Sequence, residues 1–236
     1  ILDHAGARRG AWSIATLRAG EKLVIRPGHW GSWCYLAFAG ALQAPRWLGS
    51  AATHALSGFG GGKLATGQSL TITQTKARRD GAIPCPVFAR PRHAVRVTIG
   101  PQQRFFAPDT LDSLLSDPWR MTDAWDRMGV RLSGPQIAPN AALDMPSEPI
   151  LRGSVQVAGD GVASILLADH QTTGGYPKIA TVLDCDLDAL VQLRPHDPLR
   201  FTAVTPAEAV QIARLAAQGR GRYLEGIGGG GDSERS

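Results

Sequence analysis

The chain has 236 residues, 43% of them hydrophobic and 19% charged, which is enough apolar material for a core and excludes global disorder. Its 28 glycines and 16 prolines exclude an all-helical fold, because both residues break helix interiors. The formal charge of +5 carries no nucleic-acid signature: Arg8-Arg9 and Arg78-Arg79 are the only adjacent basic pairs, and neither is interleaved with aromatics.

Taken in order, the chain opens with short runs rich in β-branched or aromatic residues at Ser13 to Leu17, Leu23 to Arg26, Trp33 to Phe38 and Leu70 to Thr75. Each is of strand length and bounded by turn residues, so a β-rich first unit is predicted. Between them, Ser57-Gly58-Phe59-Gly60-Gly61-Gly62-Lys63-Leu64 imitates a phosphate-binding loop. It has Ser57 where such a loop needs glycine and Leu64 where it needs a magnesium-binding hydroxyl, so it reads as a glycine connection. From Arg78 to Arg92, charge and the prolines Pro84, Pro86 and Pro91 preclude regular pairing and mark a connector, with the domain boundary near residue 90. The first domain is thus 1–90, and the second is 91–227.

The second domain begins with the alternating strand Ala94 to Ile99 and a Gly100-Pro101 turn. A short helix follows at Asp109 to Leu115, with Asp109 placed to cap it and Leu111, Leu114 and Leu115 on one face. Core strands are expected at Ser154 to Val157, Ala163 to Ala168 and Ile179 to Leu183, a short helix at Asp186 to Leu193, and a strand at Leu199 to Val204. Thr205-Pro206-Ala207-Glu208 is a capping box with proline in the first turn, and the helix it starts is expected to stop at Gly219. Beyond Glu225 the glycine-rich end, 228–236 above all, reads as a mobile tail.

Several chemistries lose their usual support. Cys34, Cys85 and Cys185 are far apart, which implies neither a zinc site nor a disulfide framework and points to a reducing cytoplasm. The six histidines show no metal-binding spacing, so no metal is expected, and no Gly-x-Ser-x-Gly elbow exists. No apolar run reaches the roughly 18 residues needed to span a bilayer, and no charged-then-apolar leader is present; neither membrane nor nucleic acid is an expected partner.

The densest polar cluster is Asp169-His170-Gln171-Thr172-Thr173-Gly174-Gly175-Tyr176-Pro177-Lys178, between two core strands. It gathers a carboxylate, an imidazole, an amide, two hydroxyls, a phenol and one of only four lysines. Its glycines permit positive φ and close approach of a ligand to the main chain. The same residues are also ordinary turn formers, so from the residues alone a binding loop and a plain turn both stand.

This run, continued by Ile179-Ala180-Thr181-Val182, resembles the signature of the biotin-dependent carboxyltransferase-like family. That family includes allophanate hydrolase subunit 2, the carboxyltransferase region of urea amidolyase, KipA-type proteins and the C-type subunits of bacterial 5-oxoprolinase. Arg127-Met128-Gly129, Ser147-Glu148, Gly153-Ser154-Val155-Gln156-Val157, Arg200-Phe201, Tyr35-Leu36-Ala37 and Leu48-Gly49-Ser50 resemble the same pattern. Trp125-Asp126, Ala51, Pro149 and His196 depart from it, and the family's opening segment has no counterpart, so the chain is expected to begin partway through its first domain.

The resemblance implies a mainly β fold with a few short helices, built as two cyclophilin-like β-barrel domains. It implies a subunit that processes small amides or lactams, foremost one of an ATP-dependent 5-oxoprolinase that turns 5-oxoproline into glutamate. The alternatives are a carboxyltransferase that takes its carboxyl group from carboxybiotin on another chain, and a KipA-like regulator. Expected partners are a KipI-like subunit and a LamB/YcsF-type subunit. Because such reactions develop negative charge on oxygen, the Gly174 and Gly175 amides, the Thr172 and Thr173 hydroxyls and Lys178 are the candidate anion-binding donors. Asp169 and Tyr176 are candidates for orienting substrate or moving protons, and Arg127, Gln156 and Gln171 for recognising a carboxylate or amide.

Overall fold

The computed structural model describes residues 1–54, 57–140 and 145–228. It divides into two compact units, Ile1–Arg26 with Cys34–Ile83, and Pro27–Trp33 with Pro84–Ser236. The division falls between Ile83 and Pro84, ahead of the position near residue 90 read from the prolines.

The first unit contains only short strands: β1 (Leu2–His4), β2 (Ala7–Arg9), β3 (Ser13–Ile14), β4 (Leu23–Ile25), β5 (Ala41–Gln43), β6 (Thr71–Thr73) and β7 (Gly81–Ala82). They pair as a three-stranded sheet β2-β1-β4 and the two-stranded sheets β3-β7 and β5-β6, all antiparallel. No closed barrel forms in this unit among the described residues. The run Trp33 to Phe38 forms no strand either, and Tyr35 is 84% exposed. Its aromatic content satisfies β-propensity, but no strand lies against it to supply a ladder.

The second unit is organised around a closed seven-stranded barrel in the order β10-β13-β12-β15-β8-β16-β9. Its strands are β8 (Ala94–Ile99), β9 (Trp119–Trp125), β10 (Gly129–Ser133), β12 (Ser154–Val157), β13 (Ala163–Leu166), β15 (Lys178–Val182) and β16 (Pro198–Ala203). The pair β16–β8 is parallel and the other pairs are antiparallel. A separate two-residue ladder joins β11 (Glu148–Pro149) to β14 (Thr173–Gly174). Alternation along the strands fills the core with Val95 and Val97, Trp119 and Met121, Val130 and Leu132, Val155 and Val157, and Leu199 and Phe201. Trp119 satisfies its indole by donating Nε1 to the Leu114 carbonyl at 3.0 Å.

Helix α1 (Pro108–Ser116) buries Leu114, while Leu111 and Leu115 pack partly buried against the core. Its N-cap is Ala107 without a side-chain bond, so Asp109 lies inside the first turn, where it complements the helix dipole, and is not the cap. Helix α2 (Asp184–Leu190) buries Leu187 and Leu190. Helix α3 (Pro206–Gly228) begins at the expected box: the Glu208 amide donates to Thr205 Oγ1 at 3.2 Å, and the Thr205 amide donates to Glu208 Oε2 at 2.8 Å. It does not stop at Gly219. The turns beyond are held by Arg220, which bonds Asp188 at 3.1 Å, and by Tyr223, whose hydroxyl donates to the Pro84 carbonyl at 2.8 Å. Gly228 is therefore helical, and the rest of the tail expected to be mobile lies outside the described residues. No described helix is long and apolar enough to cross a membrane.

The segment 27–33 is tied to the barrel by two side chains that follow α2. Arg194 donates to the carbonyls of Gly28 at 2.7 Å and Gly31 at 3.1 Å, and Gln192 Oε1 accepts the Ser32 amide at 3.0 Å.

Candidate functional site

The polar loop leaves the barrel after β13 and returns as β15, so both of its ends are fixed by core strands. Asp169, at its start, accepts Arg127 Nε at 2.7 Å and Nη2 at 2.9 Å, a forked pair that fixes the guanidinium plane. The main chain repeats the link: the Asp169 amide donates to the Arg127 carbonyl at 2.8 Å, and the Leu167 amide to Met128 at 2.8 Å. Arg127 and Asp169 thus engage one another, and their geometry anchors the loop to the β9–β10 turn.

The middle of the loop is held by β11. Glu148 lies opposite Gly174 and Pro149 opposite Thr173, and the Ile150 amide donates to the Thr172 carbonyl at 3.0 Å. Pro149 is tolerated because this two-stranded ladder is an edge. Neither Gly174 nor Gly175 has the positive φ that the sequence suggested; what each requires is space. A Cβ on Gly174 would lie 2.5 Å from Ile150 Cδ1 and 3.2 Å from Gln156 Nε2, and one on Gly175 would lie 3.1 Å from the Met145 carbonyl. Thr172 and Thr173 are exposed, and their hydroxyls make no hydrogen bond among the described residues.

Lys178 is buried, with 3% of its side chain exposed, and its Nζ lies 3.5 Å from Glu148 Oε2. Gln102, also buried, donates its amide to the same carboxylate oxygen and accepts the Lys178 main-chain N–H at 2.9 Å. The buried ammonium is therefore compensated by one carboxylate, whose side chain is 40% exposed and which is shared with a second donor. Sequence reasoning assigns no role to Glu148 or Gln102. Glu148 stands within a family-like motif, but nothing in its spacing reveals that it meets a lysine thirty positions on.

Gln156, Gln171 and Tyr176 converge elsewhere, on a cleft of about 580 Å³ bounded by β9, β10, β12 and β13. Gln156 is 6% exposed; its carboxamide accepts Gln171 Nε2 at 3.4 Å and donates to the Tyr176 carbonyl at 3.4 Å. Trp125, Asp126, Arg131 and Asp160 are also part of the wall. The Val162 amide and Arg131, 2.6 Å away, hold the Asp160 carboxyl below its usual range. Asp126 Oδ1 is used to accept the Met128 amide at 2.7 Å. A cleft that presents carboxamides and a phenol suits a ligand with both a hydrogen-bond donor and an acceptor, such as an amide or lactam.

The ten residues singled out from the sequence thus form three groups. Gln156, Gln171 and Tyr176 line the cleft; Thr172, Thr173, Gly174 and Gly175 form the ladder and exposed turn beside them; Lys178 and the Arg127–Asp169 pair are structural neighbours outside the cleft lining. Among the described residues, no group of three or more His, Cys, Asp or Glu could hold a metal ion.

The family model for the carboxyltransferase domain, subdomain A and B, matches residues 2–203. The 5-oxoprolinase C subunit of Haemophilus influenzae is 34% identical over 203 residues, covering 84% of this chain and 64% of that protein. Its Escherichia coli namesake is 32% identical over 213 residues, 89% of this chain and 67% of that protein. Urea amidolyase of Lachancea kluyveri is 26% identical over 237 residues, 87% of this chain and 12% of that protein. Among solved structures, TTHA0988 superposes with a TM-score of 0.73 at 35% identity, over 85% of this chain and 40% of that one. K. lactis urea amidolyase superposes with a TM-score of 0.81 at 21% identity, over 94% of this chain and 15% of that one, a likeness of fold. The chain spans about two thirds of the length of the two 5-oxoprolinase relatives.

Proposed function

Because the chain belongs to the family of carboxyltransferase domains, subdomains A and B, we propose that it works within a multi-subunit, ATP-dependent 5-oxoprolinase that opens 5-oxoproline to glutamate. The observation that carries this reading is the identity of about a third with two 5-oxoprolinase C subunits across most of the chain. The cleft chemistry supports it. Gln156 and Gln171 hold the lactam amide, whose N–H and C=O match a carboxamide's acceptor and donor. As water adds to the activated carbonyl carbon and the C–N bond breaks, the Thr172 and Thr173 hydroxyls and the Gly174 and Gly175 main chain, beside the cleft, stabilise the oxygen on which charge develops, and Tyr176, lining the cleft, passes a proton to the departing nitrogen.

Lys178 and Glu148 act from behind the loop, and Arg127 and Asp169 from its start; both pairs position it. ATP, bound at the level of the assembled complex, supplies activation of the lactam. The partners are a KipI-like and a LamB/YcsF-type subunit, and the complex works in the cytoplasm, in keeping with the free thiols of Cys34, Cys85 and Cys185.

The similarity to urea amidolyase favours a second reading, carboxyl transfer to urea or another amide from carboxybiotin carried by a different chain. One experiment separates the two: the chain is combined with its partner subunits and offered 5-oxoproline with ATP, or urea with carboxybiotin. Glutamate release that depends on ATP supports the first reading. Carboxylated urea without glutamate release replaces it with the second.

A further inference from the structure

The first unit holds a polar cleft of about 380 Å³ that lactam opening in the barrel does not use. It is lined by Arg9 at the end of β2, Arg18 and Glu21 from the turn before β4, His4 at the end of β1, and Arg78 and Asp80 ahead of β7. Arg9 and Arg78 come from the two adjacent arginine pairs of the sequence. Folding brings one member of each to a single concave surface.

The charges in this cleft are unequally occupied. Asp80 Oδ1 accepts the Thr16 amide at 2.8 Å and its hydroxyl at 2.7 Å, while Arg9 reaches Asp80 Oδ2 only at 3.5 Å. Glu21 Oε2 accepts the Arg18 main-chain amide at 2.7 Å and contacts His4 Nε2 at 2.9 Å. Both carboxyls lie below their usual range, Asp80 first through the Thr16 hydroxyl and Glu21 first through the Arg18 amide. They are therefore charged and occupied by internal donors. The Arg78 guanidinium takes part in no hydrogen bond or ion pair among the described residues, and the Arg18 guanidinium acts on Glu21 only through its charge, without a hydrogen bond. At the wall, the His4 side chain is 5% exposed and its buried Nδ1 has no partner.

We propose that this cleft is a binding site for a small ligand bearing an oxyanion, a carboxylate or a phosphate, gripped by Arg9, Arg18 and Arg78. Guanidinium forks match both groups in pairs of hydrogen bonds. The cleft has the volume for a small metabolite, and no stacking aromatics are interleaved with the arginine pairs. The site lies wholly within the first unit and does not rest on the lactam reading of the barrel.

The test is calorimetric titration of the full chain at constant ionic strength, with inorganic phosphate in one arm and acetate in the other. Saturable binding of one equivalent is expected in at least one arm, and the stronger arm names the ligand class. Arg78→Gln and Arg18→Gln, both at exposed positions, are each expected to weaken it roughly tenfold, the loss of one charge-assisted contact. Lys63→Gln, outside the cleft, should leave it unchanged. Circular dichroism monitors the fold of each variant, and the second arginine variant decides if the first is unfolded. No saturable binding in either arm, or equal binding by a folded arginine variant, overturns the proposal.

Discussion

Asp186, 1% exposed at the start of α2, accepts the Arg96 main-chain amide at 2.9 Å, Arg96 Nε at 2.8 Å and Nη2 at 2.5 Å, and Arg92 Nη1 at 3.2 Å. Burial pushes its carboxyl upward, but the Arg96 bonds outweigh that, and the net position is below the usual 3.8. A carboxyl lowered on folding binds fewer protons in the native state, so its stabilisation is complete above about pH 4 and is lost as the pH falls through the folded value. Asp186→Ala is expected to cost about 3 kcal/mol in urea unfolding, since it strips a buried acceptor from two arginines that can still reach water. Asp186→Asn should also flatten the fall in stability below about pH 4.

Gly174 makes a second residue-scale prediction. A methyl there meets Ile150 Cδ1 at 2.5 Å, and Ile150 is itself buried and has little room to turn away, so Gly174→Ala is expected to destabilise by about 1–3 kcal/mol. Adding Ile150→Val should recover part of that loss in the same unfolding assay. If the double variant is no more stable than Gly174→Ala alone, crowding against Ile150 is not the cause.

At the scale of elements, α3 shows where sequence logic stops. Gly219 is a sound stop signal by propensity, yet the helix runs on because Arg220 and Tyr223 find partners on α2 and around Phe88. Those contacts are non-local and leave no mark in the sequence. A Cβ at Gly219 or Gly221 meets nothing within 4 Å, and neither residue has positive φ. Alanine at each is therefore expected to stabilise the helix by roughly 0.5–1 kcal/mol, seen as slower amide exchange in its last turns.

The barrel strands are legible where alternation is clean. Ala94–Ile99 and Ser154–Val157 read correctly because polar and apolar residues alternate between turn signals. β9 and β10 escape a sequence reading although Trp119 and Met121, then Val130 and Leu132, alternate inward. In β9 the exposed Arg120 and Asp123 dilute the apolar signal, Asp123 lying where the register with β10 shifts between Met121 and Trp125, and β10 is only five residues long. The candidate site is legible as a loop of unusual polarity. Its internal division is not, because the pairing of Glu148 with Lys178 and the convergence of Gln156 with Gln171 depend on barrel closure.

Across the whole molecule the two units differ in how they are held. The second has a closed barrel with a continuous apolar core, while His4 is the only buried residue among those described in the first. Stability should be correspondingly uneven: amides of β8, β12 and β15 are expected to exchange at the rate of global unfolding, and those of β5 and β6 through local opening, far faster. Equal protection in both units would count against this division.

The rigid barrel is also what allows an exposed loop to present hydroxyls in a fixed geometry, and the proposed lactam opening depends on them. Thr173 and Tyr176 are exposed, so Thr173→Val with Tyr176→Phe removes both hydroxyls without disturbing the core. The decisive measurement is ATP-dependent glutamate release from 5-oxoproline by the assembled complex carrying this double variant. A fall in kcat of about 100-fold or more is expected, with unchanged circular dichroism and unchanged assembly of the complex. Undiminished turnover by the folded, assembled variant would contradict a catalytic role for the loop.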